Sequence, residues 1–313
     1  ELGVQSDKLS LVSGSDLLQL RDPAQTIQDT LIFGSLTPSM KAEIVKSLQS
    51  QDEHVMVIGS KVSDVPALRQ ANLATVPKNG VPAAMRLTDI VLLDDSIHVL
   101  PGVLSTGQQM ISGVLTTFKL YLSQVIMQLI LILLMTLNIL QHFPYRPVQA
   151  SVASVFTITI PNIFLVVWAS SKRLTEKSIR RQLTRFITPV TLALTALVYG
   201  LFLFFSETSN DLEYARLAVT YGLLLAGWLR VLFVQPPTRF WAGGAPLRGD
   251  PRIFRVVIFC VLLLIGILLI PFFNDRFYIT LLASWSDFSI VVLAVIGWAM
   301  ILKIIWWLSR NSE

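Results

Sequence analysis

Long apolar runs in the second two-thirds of the chain constrain its fold more than any other feature of the sequence. Six such runs follow one another, at residues 120–140, 149–168, 186–206, 214–234, 253–273 and 288–307. Each is close to the ~20 residues that a helix needs to cross the hydrocarbon core of a bilayer. The mean hydropathy of +0.63 and the 14% of charged residues are far from the averages of soluble domains. The sequence therefore predicts an α-helical membrane protein with six transmembrane helices.

Charged residues are distributed unevenly among the loops that connect these runs. Basic side chains crowd two loops, with Lys172, Arg173, Lys177, Arg180, Arg181 and Arg185 in one and Arg239, Arg248, Arg252 and Arg255 in the other. The intervening loops are acidic. Because basic loops stay on the cytoplasmic side, we expect both termini to be cytoplasmic. The net charge of +5 then reflects topology, so the expected partner is a lipid bilayer and not nucleic acid.

Residues 1–103 have a different pattern and form a separate predicted domain. Apolar stretches of strand length occur at residues 31–34, 55–59, 73–76 and 90–93. Residues 38–49 have helical periodicity, with Thr37 as a suitable cap and Pro38 in the first turn. The sequence thus predicts an α/β domain at 1–103. It predicts a second domain at 104–313, in which a stalk helix leads into the six spans.

Three short motifs in the first domain resemble those of the P-type ion-transport ATPases. They are TPSMKAEIV at residues 37–45, MVIGSKVSDVPALR at 56–69 and DIVLLDD at 89–95. The corresponding family patterns are T-P-E-Q-K-A-x-I-V, T-G-D-G-x-N-D-x-P-A-L-K and A-D-x-V-L-L-D-D. The resemblance implies the carboxyl-terminal half of such a pump. That half comprises part of a haloacid-dehalogenase-like, Rossmann-like phosphorylation domain and the last six of ten membrane helices.

The membrane region resembles one branch of that family. FPYRPVQ at residues 143–149 and FTITIP at 156–161 are similar to patterns of a bacterial branch proposed to move calcium or other divalent cations. The resemblance implies an integral protein of a bacterial plasma (inner) membrane. Many members of the branch carry a glutamate shortly after this span, where Trp168 stands here, and better-known calcium and sodium pumps have an acidic ligand at the position of Ile158.

The central motif departs from the family pattern at the positions that carry its chemistry. Ser60 stands where the family holds magnesium with an aspartate, Lys61 replaces a glycine, and Ser63 replaces an asparagine. Asp64 and Lys41 are retained, and Lys41 contacts the transferred phosphoryl group in the family. Magnesium prefers carboxylate and phosphate oxygens. We therefore expect Lys41, Ser60, Ser63 and Asp64 to be vestigial, with Asp64 at most a weak trace of a magnesium site.

The phosphorylation motif D-K-T-G-T does not occur in these residues. The resemblance therefore implies that this chain, by itself, is not an enzyme and holds no cofactor, although the family uses magnesium and ATP. It also implies that the strands ending at Gly34 and Gly59 are not neighbours, because two intervening strands precede residue 1. Unpaired strand edges are exposed to pairing with other chains. Three outcomes are open: another polypeptide supplies the missing strands, which we expect, the chain pairs its own strands, or the segment stays partly disordered.

Polar residues inside the predicted spans have two possible roles. They are Gln124, Gln128, Asn138, Thr157, Thr159 and Asn162. One hypothesis is an ion path, to which Pro161 would contribute a free backbone carbonyl, although a simple kink explains it equally well. The other hypothesis is hydrogen bonding between helices, which such side chains commonly provide. We expect no carboxylate and no charged side chain at mid-membrane, and this expectation favours the second hypothesis.

Several other residues predict no site. The single cysteine, Cys260, excludes an internal disulfide, and His54, His98 and His142 have no metal-binding spacing. Gly243 and Gly244 are interpreted as a flexible connection, and Trp306 as an interfacial residue at a span end.

The sequence leaves three functional hypotheses open. The first is a non-catalytic, pseudoenzyme-like membrane subunit with a structural or regulatory role in a complex. The second is half of a split or truncated pump that moves a divalent cation when joined to its amino-terminal half. The third, a separate channel or carrier, depends on the polar side chains alone. The chain begins at Glu1 without a signal-peptide pattern, which is consistent with a processed product, a partial chain or the rear part of a longer protein.

Overall fold

The computed structural model describes residues 11–17, 26–27, 30–93, 97–169, 176–245, 247 and 249–311. The chain divides into two compact units, Glu1–Gly102 and Val103–Glu313. The basic residues Lys172, Arg173 and Arg248, and the acidic pair Asp94 and Asp95 of the third motif, lie outside the described residues.

Parallel strands and short helices alternate in the first unit. The elements are β1 (Leu11–Ser13), α1 (Gly14–Leu17), β2 (Ile32–Gly34), α2 (Pro38–Ser50), β3 (Met56–Ile58), α3 (Val65–Gln70), β4 (Leu73–Pro77), α4 (Pro82–Met85) and β5 (Ile90–Leu92). The four predicted strands are confirmed. The sequence did not predict β1, a three-residue strand too short to give a periodic signal.

The strands form two separate sheets. β1 pairs with β2, and β3–β4–β5 form the second sheet, with every pairing parallel. β2 and β3, which were expected not to be neighbours, therefore lie in different sheets. Leu68, Ala74, Val76 and Ala84 form the small core under the second sheet. Whether another polypeptide supplies strands between the two sheets stays a prediction.

The helix predicted at residues 38–49 is α2, and its cap is confirmed. The Thr37 hydroxyl accepts a hydrogen bond from the backbone N–H of Met40 at 3.3 Å, and Pro38 occupies the first turn. Ile44 and Val45 are buried, and Leu48 packs beside Ile44. This apolar face fixes the helix, and thereby places Lys41 of its first turns near the end of β3.

Long helices make up the second unit. They are α5 (Leu100–Thr136), which begins just before the unit boundary, α6 (Pro147–Ser154), α7 (Ile160–Val167), α8 (Glu176–Ser209), α9 (Leu212–Val234), α10 (Arg252–Leu268), α11 (Pro271–Phe277) and α12 (Trp285–Asn311). A π-helical segment, Val155–Thr159, joins α6 to α7. Five stretches among the described residues are long and apolar enough to cross a bilayer: Ile97–Thr136, Pro147–Val167, Ile179–Ser209, Leu212–Val234 and Trp285–Ser309. The chain is a membrane protein.

The predicted span at residues 253–273 is not one continuous helix. α10 ends at Leu268 after 17 residues, and Pro271 starts α11, because proline lacks the N–H that would continue the helix. A helix of that length extends about 26 Å, somewhat less than the hydrocarbon thickness. A sixth crossing is therefore not confirmed. α5 also stops at Thr136, short of residue 140, and Asn138 beyond it has a positive φ of 58°.

α9 is the central helix of the unit. In its most apolar window 89% of the residues are buried, against 22% in α12. It packs against α8, α12, α6 and the π segment. Gly227 allows the approach to the π segment, since a Cβ there would lie 2.4 Å from Cβ of Thr157.

The interpretation of Gly243 and Gly244 as a flexible connection is wrong. A Cβ on Gly244 would lie 2.4 Å from the ring of Trp306, and one on Gly243 would lie 2.9 Å from it. The glycines are required because the backbone passes directly over the indole. Trp306 itself is 2% exposed and donates its ring N–H to the Arg185 carbonyl at 3.1 Å, so it is a core residue and not an interfacial one.

Candidate functional site

A tight turn at the carboxyl end of β3 forms the candidate site of the first unit. Gly59 follows the strand, a 3₁₀ turn covers Val62–Asp64, and α3 begins at Val65. Gly59 is required, because a Cβ there would lie 2.6 Å from Cβ of Asp64. The Gly59 N–H donates to the Thr75 carbonyl at 3.1 Å, and the Ser60 carbonyl accepts from Val81 N–H at 3.0 Å. The turn is thus held against β4 and the start of α4.

Asp64 is the centre of this turn. Its Oδ1 accepts a hydrogen bond from Lys41 Nζ at 2.7 Å, and its Oδ2 accepts from the backbone N–H groups of Ser60 at 3.1 Å and Lys61 at 3.0 Å. Burial by itself would raise the pKa of Asp64, but the bond from Lys41 and the two backbone donors outweigh it, so the pKa lies below its ordinary value. The carboxylate is therefore ionised at neutral pH.

The structure brings three of the four predicted residues into one hydrogen-bonded group. Asp64 accepts hydrogen bonds both from Lys41, on a different helix, and from the backbone N–H of Ser60. Ser63 lies in the same 3₁₀ turn as Asp64. Lys41 and Asp64 are 23 residues apart in the sequence. Their contact arises because the first turns of α2 lie beside the turn that follows β3.

The residues of this turn do not make a magnesium site. Both oxygens of Asp64 are already engaged by an ammonium group and two N–H donors, and the neighbouring side chains are a serine hydroxyl and the Lys61 ammonium. A hard divalent cation needs unengaged oxygen ligands. Throughout the described residues, no cluster of three or more His, Cys, Asp or Glu side chains could hold a metal ion. No chemical step through a metal follows from these side chains.

In the membrane unit, the predicted polar residues do not converge on one path. Gln124 is 5% exposed and accepts a hydrogen bond from Arg230 Nη2 at 3.0 Å. Asn162 accepts from Thr117 Oγ1 at 2.8 Å, which ties α7 to α5. Thr157 is buried and donates to the Ala153 carbonyl at 2.7 Å. These three side chains therefore serve contacts within or between helices.

The other three predicted residues lie at less enclosed positions. Gln128 lines an open, mostly apolar cavity of about 360 Å³ together with Tyr145 and Ser154. Thr159 is exposed on the surface of the π segment. Asn138 is exposed beyond the end of α5, so its placement inside a span was wrong.

Two basic side chains that the sequence analysis did not single out are buried in the described helices of this unit. Arg230, in the last third of α9, is 1% exposed, and Lys119 of α5 is 5% exposed. The sequence carried a signal for Arg230, because it lies inside the apolar run at 214–234. Its burial depends on contacts with Ser123 and Gln124, more than a hundred residues earlier in the chain, which the sequence pattern does not reveal.

Pro161 leaves one backbone carbonyl without its helical hydrogen bond, and another residue of the protein bonds to that carbonyl. In the π segment the Ile160 N–H donates to the Val155 carbonyl, five residues back. Pro161 has no N–H with which to reach the next carbonyl in that register, Phe156. The Phe156 oxygen instead accepts the indole N–H of Trp228 at 3.3 Å. Of the two interpretations of Pro161, this geometry favours a packed helix irregularity.

Comparison with known proteins identifies bacterial P-type cation-transporting ATPases as homologues. The calcium-transporting ATPase CtpE of Mycobacterium bovis is 25% identical over an alignment that covers 98% of this chain and 38% of that protein. The cation-transporting ATPase pma1 of Synechocystis is 23% identical over 87% of this chain and 32% of its own length. The P-type 1 magnesium-transporting ATPase of Escherichia coli is 32% identical over 38% of this chain and 13% of its own length.

These alignments cover only part of each relative. The chain spans less than two-fifths of the length of these relatives, and the longest match runs through both of its units. No protein-family model matches the chain.

Proposed function

We propose that this homologue of the bacterial P-type cation-transporting ATPases is the cation-translocating part of a pump whose phosphorylation residues lie on another polypeptide segment. The observation that carries the proposal is the match across 98% of the chain to a protein named as a calcium-transporting ATPase. The ion is then a divalent cation. The membrane is the bacterial plasma membrane, with the basic loops and both termini in the cytoplasm.

The turn after β3 supports this proposal. Lys41 and Asp64 remain paired at 2.7 Å although Ser60, Lys61 and Ser63 differ from the family pattern. The resemblance gives Lys41 a role in contacting the transferred phosphoryl group. Asp64 holds that ammonium in place at the sheet edge, where a segment carrying a phosphorylated aspartate would dock between β2 and β3.

A second candidate function is a non-catalytic membrane subunit with a structural or regulatory role. Two observations favour it. The Asp64 carboxylate is engaged by Lys41 and by backbone donors, which leaves it unsuited to magnesium. Among the described residues, no aspartate or glutamate is buried, so no interior carboxylate stands ready to bind a divalent cation.

Uptake of a radiolabelled cation tests the first proposal against the second. Inside-out vesicles are prepared from cells that express the natural protein with its associated segments, and from cells in which this chain is deleted. The pump proposal predicts ATP-dependent uptake of calcium or magnesium that disappears with the deletion. Equal uptake in the two preparations would support the subunit.

A matched pair of variants tests whether Asn162 lies on the cation path. Asn162→Leu removes a half-buried amide that contacts Thr117, whereas Thr159→Val changes an exposed position on the adjoining π segment. If polar groups between the helices line the cation path, uptake falls several-fold in N162L and is unchanged in T159V. The same small effect in both would remove Asn162 from the path.

A further inference from the structure

Among the described residues of the membrane unit, two cationic side chains are buried and have no ion-pair partner. Arg230 is 1% exposed and Lys119 is 5% exposed. In the part of the chain that the structure describes, the buried polar residues include no aspartate or glutamate. Taking a charge out of water is costly, and the cost is recovered only when an opposite charge and well-placed hydrogen bonds accompany it.

Arg230 links the end of α9 to α5, the helix that carries Lys119. We call this contact the α5–α9 seam; it consists of Thr116, Lys119, Ser123, Gln124, Arg230 and Gln235. Arg230 donates from Nη1 to Ser123 Oγ at 3.3 Å and from Nη2 to Gln124 Oε1 at 3.0 Å. Lys119 precedes Ser123 by four residues, which places it one helical turn away on the same face of α5.

Hydrogen-bond donors outnumber acceptors in the seam. Arg230 Nε is buried and has no partner among the described residues. Lys119 makes no hydrogen bond to a described residue, and its ammonium lies 5.8 Å from the ring centroid of Phe186. Gln235 Nε2 reaches its two acceptors, Thr116 Oγ1 and the Leu165 carbonyl, only at 3.5 Å. An anion would supply the acceptor and the negative charge that this group lacks.

We propose that the α5–α9 seam binds a small inorganic anion of the chloride class. A monatomic anion accepts hydrogen bonds from several directions at once, which suits donors that two bonded helices carry. Its charge would offset those of Arg230 and Lys119. The seam is enclosed by α5, α8 and α9, since Thr191 of α8 also reaches the Ser123 carbonyl, so a small ion fits this position better than a lipid headgroup. The proposal does not depend on the pump function.

The test is the thermal stability and chloride binding of the purified chain in detergent. Chloride replaces gluconate at constant ionic strength, so that general screening stays the same. A ligand that binds the folded state raises the unfolding temperature, by roughly 2–4 °C as chloride increases from about 1 to about 200 mM. Radiolabelled chloride should bind saturably, at about one ion per chain.

Three variants make the test specific. Arg230→Met and Lys119→Met should weaken chloride binding at least about tenfold and reduce the temperature shift accordingly. Lys303→Met is the matched control, because Lys303 also lies over a phenylalanine ring, at 3.0 Å from the centroid of Phe240, but is not buried. It should leave binding unchanged.

The wild-type measurement decides the proposal even if a variant fails to fold. The absence of saturable chloride binding to the wild-type chain, with equal unfolding temperatures in chloride and gluconate, would overturn it. Stabilisation by an anionic lipid but not by chloride would overturn it equally, and so would an equal loss of binding in Lys303→Met.

Discussion

Single residues decide whether the turn after β3 keeps its geometry. Asp64 receives donors from Lys41 and from the backbone of Ser60 and Lys61, and it therefore ties α2 to the end of β3. Sequence reasoning identified Lys41 and Asp64 through the resemblance of two separate motifs to the family patterns. It could not predict the hydrogen bond between Lys41 and Asp64, because these residues meet only after α2 folds back along the sheet.

The variant Asp64→Asn tests the importance of this carboxylate. We expect it to reduce the stability of the first unit by roughly 1–2 kcal/mol, since a partly exposed ion pair adds little beyond its hydrogen bonds. The pKa of Asp64 is lower in the folded chain than in the unfolded one, so its contribution is complete above the unfolded pKa and is lost as pH falls through the folded pKa. The difference between D64N and wild type should therefore shrink under acid.

Hydrogen exchange at the amides of β3 and β4 measures this effect. Asp52→Asn is the matched control, because Asp52 is exposed and has a positive φ of 68°, which asparagine tolerates. Equal exchange in D64N and D52N at neutral pH would show that the carboxylate of Asp64 does not stabilise the turn.

At the scale of elements, the contact between α9 and the π segment organises the membrane unit. Gly227 lies directly against Thr157, and Trp228 satisfies the carbonyl of Phe156 that Pro161 leaves unbonded. The sequence predicted a span here and left two roles open for Pro161, a freed carbonyl on an ion path or a simple kink. It did not predict the partner, because the distance along the chain between Phe156 and Trp228 is 72 residues.

Gly227→Ala should destabilise the membrane unit. The added Cβ would lie 2.4 Å from Cβ of Thr157, so one helix has to move, and overpacking of this kind costs about 1–3 kcal/mol. The thermal unfolding temperature of the purified chain in detergent is the measurement. Gly297→Ala in α12 is the control, since a Cβ there meets nothing within 4 Å. Equal unfolding temperatures in the two variants would show that the close approach is not required.

The whole molecule combines a membrane unit similar to those of cation-transporting ATPases with an α/β unit in which the motif D-K-T-G-T does not occur. Its class and five of its spans follow from the length and hydropathy of the apolar runs. The sixth run is not confirmed as a crossing, because Pro271 interrupts its helix and hydropathy does not register that break. The buried cations were missed because basic residues were assigned to topology, whereas burial of Arg230 depends on tertiary contacts.

The central claim is that phosphoryl transfer depends on residues outside these 313. Phosphoryl transfer needs a positioned nucleophile and a metal that neutralises charge, and the described turn offers neither. Labelling the purified chain with γ-labelled ATP and magnesium tests this directly, with a complete P-type pump as the positive control. The account predicts no acid-stable, hydroxylamine-sensitive phosphate on the chain. Labelling of the chain that approaches the level of the control would contradict it.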